Sequence, residues 1–145
     1  MKPLFVQKTI RINAPVSKVW KVLTDVNLTR HWIRLMWTGF LSLESDWKLG
    51  SEVLWKGVGE KTEFYGKVLS VKITKLLEYN FILNNPEISK EEIITYELEK
   101  NDKYTILTIS MGNFGDTSEH ELCYPRALDG WKKALPKIKT LAESL

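Results

Sequence analysis

Six strand-like segments follow one another between Leu35 and Met111, and only short turns separate them. Each segment is rich in β-branched or aromatic residues, which strands favour. The breaks KLGS, VGEK, NNPEIS and KNDK are typical of turns. Parallel neighbours would need crossover connections of roughly a dozen residues, so this spacing predicts an antiparallel meander. The predicted strands are LMWTGFLSL (35–43), SEVLWKGV (51–58), FYGKVLSVKI (64–73), LLEYNFIL (76–83), EIITYELEK (92–100) and YTILTISM (104–111).

Helical patterns lie on both sides of the predicted meander. A first strand, Phe5 to Asn13, precedes the segment APVSKVWKVLTD, in which Val16, Val19, Trp20 and Leu23 share one helical stripe. VNLTRHWI predicts a second short helix over Val26 to Ile33, and the chain is helical again from about Ser118 to its end. This order predicts an α+β fold in which a curved antiparallel sheet buries the apolar stripe of the last helix.

The closing stretch DGWKKALPKIKTLAESL has one apolar and one basic side. Pro136 lies on the polar side and should kink the helix. We interpret the lysines as a solvated face. A helix whose apolar stripe covers the sheet cannot offer that stripe to a membrane. Nucleic-acid binding would favour aromatic residues between the lysines, and none is present. The predicted inward residues are Trp131, Ala134, Leu135, Ile138, Leu141, Ala142 and Leu145, and the outward lysines are Lys132, Lys133, Lys137 and Lys139.

Composition argues against several classes of function. Lys and Arg (21) nearly offset Asp and Glu (18), giving a net charge of +3 without a basic stripe, so nucleic-acid binding is not expected. Cys123 is the only cysteine, which excludes an intramolecular disulfide and a cysteine-based zinc site. No segment has the pattern of a signal peptide or of a membrane span. We therefore expect one soluble, cytoplasmic domain over residues 1–145, a monomer or a homodimer, without membrane insertion.

Alternation along the strands predicts which side chains face the last helix. Over 64–73 both faces are apolar, so the inward face stays open there. These inward side chains can fill a solid core, or they can line a pocket for an apolar or aromatic ligand. The tyrosines and tryptophans among them favour the pocket, because each buried OH or NH group needs a hydrogen-bond partner. The predicted inward residues are Trp37, Val53, Trp55, Tyr79, Phe81, Leu83, Ile94, Tyr96, Leu98, Leu107, Ile109 and Met111.

The segment before the last helix has two possible readings. A continuous helix would place His120, Cys123, Tyr124 and Ala127 on the inward stripe, whereas Pro125 could instead mark the first turn of a new helix. We count His120 and Tyr124 as polar groups of the pocket. The candidate pocket residues are thus Trp37, Trp55, Tyr79, Phe81, Tyr96, Met111, His120, Tyr124 and Trp131.

Three strings resemble a known superfamily. INAPVSKVWKVLTDVNLTRHW, GKVLSVKITKLLEYNF and DGWKKALPKIKTLAE are similar to the opening, the central hairpin and the closing helix of START-like (SRPBCC) domains, and together they most resemble the group of homologues of the activator of heat-shock-protein-90 ATPase. The resemblance implies a helix-grip (Bet v-like) fold with a cavity between sheet and helix. Ser51 stands where a second glycine is common, and Ile73 where a proline is often found. No catalytic signature carries over.

The resemblance leaves function open, and we expect a non-enzymatic domain that binds a small hydrophobic ligand, without cofactor or metal. One alternative is a stress-related module that acts on a chaperone through its surface. Another is a cyclase or hydrolase that uses His120, Arg126 or a tyrosine.

None of the other polar residues forms a recognisable catalytic or metal-binding motif. We expect His31 to be exposed or satisfied by local contacts, and Arg126 to pair with a neighbouring glutamate, the alternative being an anionic head group of a ligand. The triplet EHE (119–121) offers too few converging ligands for a metal. His120 and Cys123 are three residues apart, close enough for contact on a helix, but nothing in the sequence orients the histidine.

Overall fold

The computed structural model describes residues 2–88 and 90–145. The described elements, in chain order, are β1 (Val6–Ile12), α1 (Val16–Thr24), α2 (Val26–Ile33), β2 (Ser42–Glu44), β3 (Glu52–Lys56), a 3-10 turn (Val58–Glu60), β4 (Thr62–Lys72), β5 (Leu76–Leu83), β6 (Glu91–Lys100), β7 (Thr105–Gly112), α3 (Ser118–Glu121) and α4 (Tyr124–Ser144).

The described strands form one antiparallel sheet in the order β1-β7-β6-β5-β4-β3-β2. Strands β2 to β7 pair with their neighbours in sequence, which confirms the predicted meander, and β1 pairs with β7 over its whole length. The fold is the predicted α+β helix-grip arrangement, with two short helices after the first strand and a long helix at the C-terminal end.

The strand predicted over residues 35–43 is wrong for most of its length, because only Ser42 and Leu43 of that range belong to β2. The backbone N–H groups of Met36 and Trp37 instead donate to the Ile33 carbonyl at 2.9 Å, so the turn of α2 continues past its last residue. Trp37 therefore reaches the interior from a loop, where its ring packs against Phe40 and Phe64.

The apolar stripe of α4 faces inward as predicted, with Trp131, Ala134, Leu135, Ile138 and Ala142 buried. Leu141 is half-buried, whereas Leu145 lies beyond the end of α4 and is exposed. On the opposite side Lys132, Lys133 and Pro136 are exposed, and Lys137 and Lys139 are half-buried. The helix contacts α1, α2 and β1. The lysines therefore lie on the side of α4 that faces away from the core.

Strand β4 has a definite inward face that its sequence does not show. Val68 and Gly66 are buried, while Tyr65 and Leu69 are exposed. The pairing of β4 with β5 then shifts between Val68 and Ser70. Such a bulge changes the alternation of the side chains within one strand, which explains why β4 reads as apolar on both faces.

Candidate functional site

A cavity of about 600 Å³ lies under the first half of α4, between the sheet and the loop after α2. Its wall is mostly apolar, with charged residues among the rest. This volume and this composition are typical of sites for small organic ligands. The aromatic part of the lining consists of Trp37, Trp55, Phe64, Phe81, Phe114 and Trp131, and the charged part of Glu63, Lys90, Glu92 and Arg126.

The structure places five of the nine candidate pocket residues in the cavity wall. These are Trp37, Trp55, Phe81, Met111 and Trp131. They come from the α2–β2 loop, three different strands and α4, so only the folded chain brings them together.

The other four candidates lie outside the lining. Tyr79 and Tyr96 are fully buried in the core, where their hydroxyls hydrogen-bond each other at 3.1 Å. Burial raises the pKa of both phenols. His120 contacts Glu92, which lies between it and the cavity. Tyr124 packs edge-on against Phe114. Each of the two buried tyrosines thus has its partner in the other, so neither needs a ligand to satisfy its hydroxyl.

The aromatic wall is held rigid by contacts among its own rings. Phe64 stacks on Phe81 with ring centroids 4.2 Å apart, and Trp55 meets the edge of Phe81 at 4.9 Å. Trp37 meets Phe64 edge-on at 5.6 Å. Aromatic pairs prefer these stacked and edge-to-face arrangements. A flat ligand therefore has a preformed surface to pack against.

One polar atom of this wall has no partner. The indole N–H of Trp55 is buried, and among residues 2–88 and 90–145 it donates to no acceptor. The indole N–H groups of Trp32 and Trp131 do have acceptors, the Val22 carbonyl at 2.9 Å and Met111 Sδ at 3.3 Å. A buried donor left unpaired costs about 1–3 kcal/mol, so Trp55 lowers the stability of the wall to which it belongs.

Charged residues gather where β6 begins and α4 begins. Glu92 is only 7% exposed and lines the cavity next to Phe81, its partner in the β5–β6 register. Lys90 Nζ donates to Cys123 Sγ at 3.3 Å, and Arg126 follows one turn later on α4. Contrary to expectation, Arg126 makes no ion pair with a glutamate within the described ranges. This end of the cavity thus combines a buried carboxylate with two cations.

His120 is held between two carboxylates. Thr117 is the N-cap of the short helix α3, and its side chain accepts the backbone N–H of His120 at 3.0 Å. Nδ1 of the ring hydrogen-bonds Asp116, and Nε2 lies 3.5 Å from Glu92 Oε2. The ring is 1% exposed. The structure therefore supplies the orienting groups for His120 that the sequence did not reveal.

Residues 118–127 belong to two helices and not to one continuous helix. Pro125 stands in the first turn of α4, as the second reading predicted, and α3 is a separate helix. The thiol of Cys123 bonds Lys90 while the ring of His120 bonds Asp116. The hypothetical His120–Cys123 dyad therefore has no support in the structure. His31 is exposed, as expected.

The environment changes the pKa values of the two carboxyls around His120 in opposite directions. Burial raises the pKa of Glu92, although His120 and Lys90 partly offset that effect. Burial also acts to raise the pKa of Asp116, but the hydrogen bond and charge of His120 outweigh it, so that this pKa is lowered. Asp116 is therefore the ionised partner of His120, and Glu92 is the carboxyl that resists ionisation.

We expect the variant Glu92→Gln to be more stable than the unmodified protein at pH 7. A carboxyl whose folded-state pKa is raised costs stability once the pH rises above its ordinary value, 4.5. The gap in unfolding free energy between variant and unmodified protein should therefore shrink as the pH falls from 7 towards that value, and change little below it. Three titratable groups lie near Glu92: His120 on α3, Lys90 just before β6, and Asp116 in the loop that precedes α3.

Urea melts from pH 4 to 8 measure this difference. Glu91→Gln is the matched control, because Glu91 is exposed on the same strand and its replacement should change stability by less than about 0.5 kcal/mol. The measured quantity is the unfolding free energy of Glu92→Gln minus that of the unmodified protein. A smaller difference at pH 7 than at pH 4 would contradict a raised pKa of Glu92.

Sequence reasoning missed Glu92, although the signal was present. The inward positions of β6 were read from Ile94 through Tyr96 to Leu98, and two residues further back along the same alternation is Glu92. Lys90, which precedes β6, carried no such signal.

The described residues contain neither a cluster of metal ligands nor a helix suited to span a membrane. Within residues 2–88 and 90–145, no three His, Cys, Asp or Glu side chains are grouped so that they could hold a metal ion. In the same part of the chain, no helix combines the length and apolar character needed to cross a membrane.

Comparison with known proteins points to one family. A family model described as "Activator of Hsp90 ATPase homolog 1-like protein" matches residues 13–143. A comparison with curated protein sequences finds no match.

Solved structures share the fold over nearly the whole chain. Protein MLL2253 from Mesorhizobium loti superposes with a TM-score of 0.79 at 20% identity, covering 97% of each chain. ChR145 from Cytophaga hutchinsonii has a TM-score of 0.74 at 26% identity and covers 99% of this chain and 97% of its own. The Aha1 dimer from Colwellia psychrerythraea has a TM-score of 0.73 at 20% identity, with 97% and 96% covered.

Proposed function

The chain belongs to the family of Activator of Hsp90 ATPase homolog 1-like proteins, and we propose that its cavity binds a small hydrophobic molecule. The observation that carries this proposal is the space of about 600 Å³ walled by aromatic rings. Aromatic rings that already pack against one another lose little freedom when a ligand binds, which favours affinity.

Binding rather than catalysis is favoured by where the candidate catalytic groups lie. His120 is closed off behind Glu92, and the hydroxyls of Tyr79 and Tyr96 are bonded to each other in the core. A cyclase or hydrolase that used these groups would need them to face the bound molecule.

Filling the cavity should weaken binding. Ala127 lies in the cavity wall on α4 and is half-buried, so Ala127→Phe places a ring in the cavity without removing an existing contact. We expect naphthalene to quench or shift the tryptophan fluorescence of the unmodified protein, and the affinity to fall at least about tenfold in the variant, which corresponds to about 1.4 kcal/mol.

The matched control is Thr140→Phe, which adds the same ring at an exposed position of α4 outside the cavity wall. Its affinity for naphthalene should equal that of the unmodified protein. Equal binding by Ala127→Phe and Thr140→Phe would place the ligand elsewhere and remove the support for this proposal.

A second candidate function, stimulation of a chaperone ATPase, is favoured by the family match and by the likeness to an Aha1 dimer. It would act through the surface, where Val58, Ile73 and Leu122 expose large apolar side chains. The two functions respond to different variants. A chaperone ATPase rate that rises with this protein, survives Ala127→Phe and falls with Leu122→Ser would favour the second candidate.

A further inference from the structure

Glu92 is a buried carboxyl group whose one polar side-chain contact among the described residues is long. Its side chain lines the cavity, and its Oε2 lies 3.5 Å from His120 Nε2, at the limit of hydrogen-bond distance. Among the described residues no other donor reaches its oxygens within hydrogen-bond distance, and Nε2 itself is buried and unpaired. A buried carboxylate in this condition costs free energy unless a bound molecule supplies a donor.

The contacts of His120 leave one oxygen of Glu92 free. Asp116 accepts a hydrogen bond from Nδ1, so that nitrogen carries a proton, and Nε2 faces Glu92 Oε2. Whether the shared proton lies on Nε2 or on Oε2, the second carboxyl oxygen of Glu92 stays an acceptor. The pair thus presents a hydrogen-bond acceptor to the cavity in both protonation states.

The neighbouring charges select what kind of donor can approach. Lys90 and Arg126 line the same cavity, and Lys90 is close enough to act on the charge of Glu92. These two cations disfavour a cationic ligand, and an anionic group carries no proton that it could donate to Glu92. A neutral donor, such as a hydroxyl group, is not repelled by the cations and has a proton to donate.

The position of Phe81 indicates which kind of molecule carries that hydroxyl group. Phe81 and Glu92 are directly paired across β5 and β6, so their side chains lie side by side on the inward face. A flat ring that packs on the wall formed by Phe81, Phe64 and Trp55 therefore has Glu92 at its edge. A hydroxyl substituent on that ring can reach the carboxylate.

We propose that the cavity is selective for neutral aromatic molecules that carry a hydroxyl group, and that Glu92 accepts the hydrogen bond of that hydroxyl. This inference rests on the proposed function, because it requires that the cavity binds an apolar molecule. It adds the chemical class of the ligand and names the residue that determines the specificity.

The test compares two probes of similar size, 2-naphthol and 2-methylnaphthalene, by fluorescence titration. We expect 2-naphthol to bind the unmodified protein about tenfold more tightly, since its hydroxyl satisfies a buried acceptor that stays unpaired beside 2-methylnaphthalene. In Glu92→Leu the ratio of the two affinities should fall to about one. In Glu92→Gln, whose amide oxygen still accepts, part of the preference should remain.

Two controls separate specificity from folding. Glu91→Leu removes a carboxylate from the exposed face of the same strand and should keep the tenfold ratio. Retained binding of 2-methylnaphthalene by Glu92→Leu shows that this variant is folded with its cavity intact. If Leu at position 92 prevents folding, the Glu92→Gln variant carries the test, and its preference for 2-naphthol must be reduced.

Charged probes complete the test. The anion 2-naphthoate and the cation 2-naphthylmethylamine should both bind more weakly than 2-naphthol, and tighter binding by either one would overturn the hydroxyl class. A ratio near one in the unmodified protein, or a ratio unchanged in Glu92→Leu, would overturn the role of Glu92 while the proposed function stands. If none of the probes binds, the proposed function fails as well.

Discussion

Replacement of Trp131 by alanine is expected to lower the free energy of unfolding by about 3–5 kcal/mol. The side chain is 0% exposed, its ring packs on Trp32 and Tyr96, and its N–H donates to Met111 Sδ at 3.3 Å. Its removal leaves a void where α4, α2 and the sheet meet, and the surrounding rings cannot close it without losing their own contacts. Denaturant melts at constant pH measure the loss.

Lys132→Ala is the control for this prediction. Lys132 is the next residue on α4 but is exposed, and surface substitutions of this kind usually change stability by less than about 0.5 kcal/mol. A loss of under about 1 kcal/mol in Trp131→Ala would show that this ring does not hold α4 to the rest of the molecule.

Gly66→Ala is expected to cost about 3 kcal/mol, at the upper end of the usual range for overpacking. A Cβ at this position of β4 would lie 1.8 Å from the backbone carbonyl oxygen of Asn80 and 2.7 Å from its Oδ1. The same Oδ1 accepts the backbone N–H of Lys67 at 2.6 Å. Because a strand backbone cannot move aside as a side chain can, the methyl group must push β4 and β5 apart, and the aromatic pair Phe64–Phe81 lies on those two strands.

Gly130→Ala on α4 provides the comparison. The Cβ added there would meet the side chain of Met36 at 3.3–3.5 Å and no backbone atom at that range, and alanine is favoured over glycine within helices by about 1 kcal/mol. We expect this variant to be as stable as the unmodified protein or more so. Equal thermal stability of the Gly66 and Gly130 variants would contradict the close approach of β4 and β5.

The general architecture could be predicted from the sequence because its signals are periodic and local. The alternation in β5, β6 and β7 and the stripe from Trp131 to Ala142 each follow one regular period, and the structure confirms both. The strand predicted over residues 35–43 is wrong for most of its length, because aromatic residues favour strands but do not by themselves specify one. Hydrogen bonds from Met36 and Trp37 to Ile33 extend the preceding helical turn instead.

The cavity was only partly predictable. Trp55, Phe81 and Met111 follow the alternation of their strands and do line it. Alternation cannot separate a cavity wall from a filled core, however, and Tyr79 and Tyr96 belong to the core because their hydroxyls meet each other. Lys90 and Arg126 reach the cavity from a loop and from the first turn of α4, positions for which the sequence has no periodic signal.

The position of a bound ligand tests the central claim most directly. Intermolecular nuclear Overhauser effects in the protein saturated with 2-naphthol should connect the probe to the Trp55 indole, the Phe81 ring and the Met111 methyl group, all of which line the cavity. Contacts confined to exposed side chains such as Ile73 or Leu122, with none to these three, would contradict a ligand site between the sheet and α4.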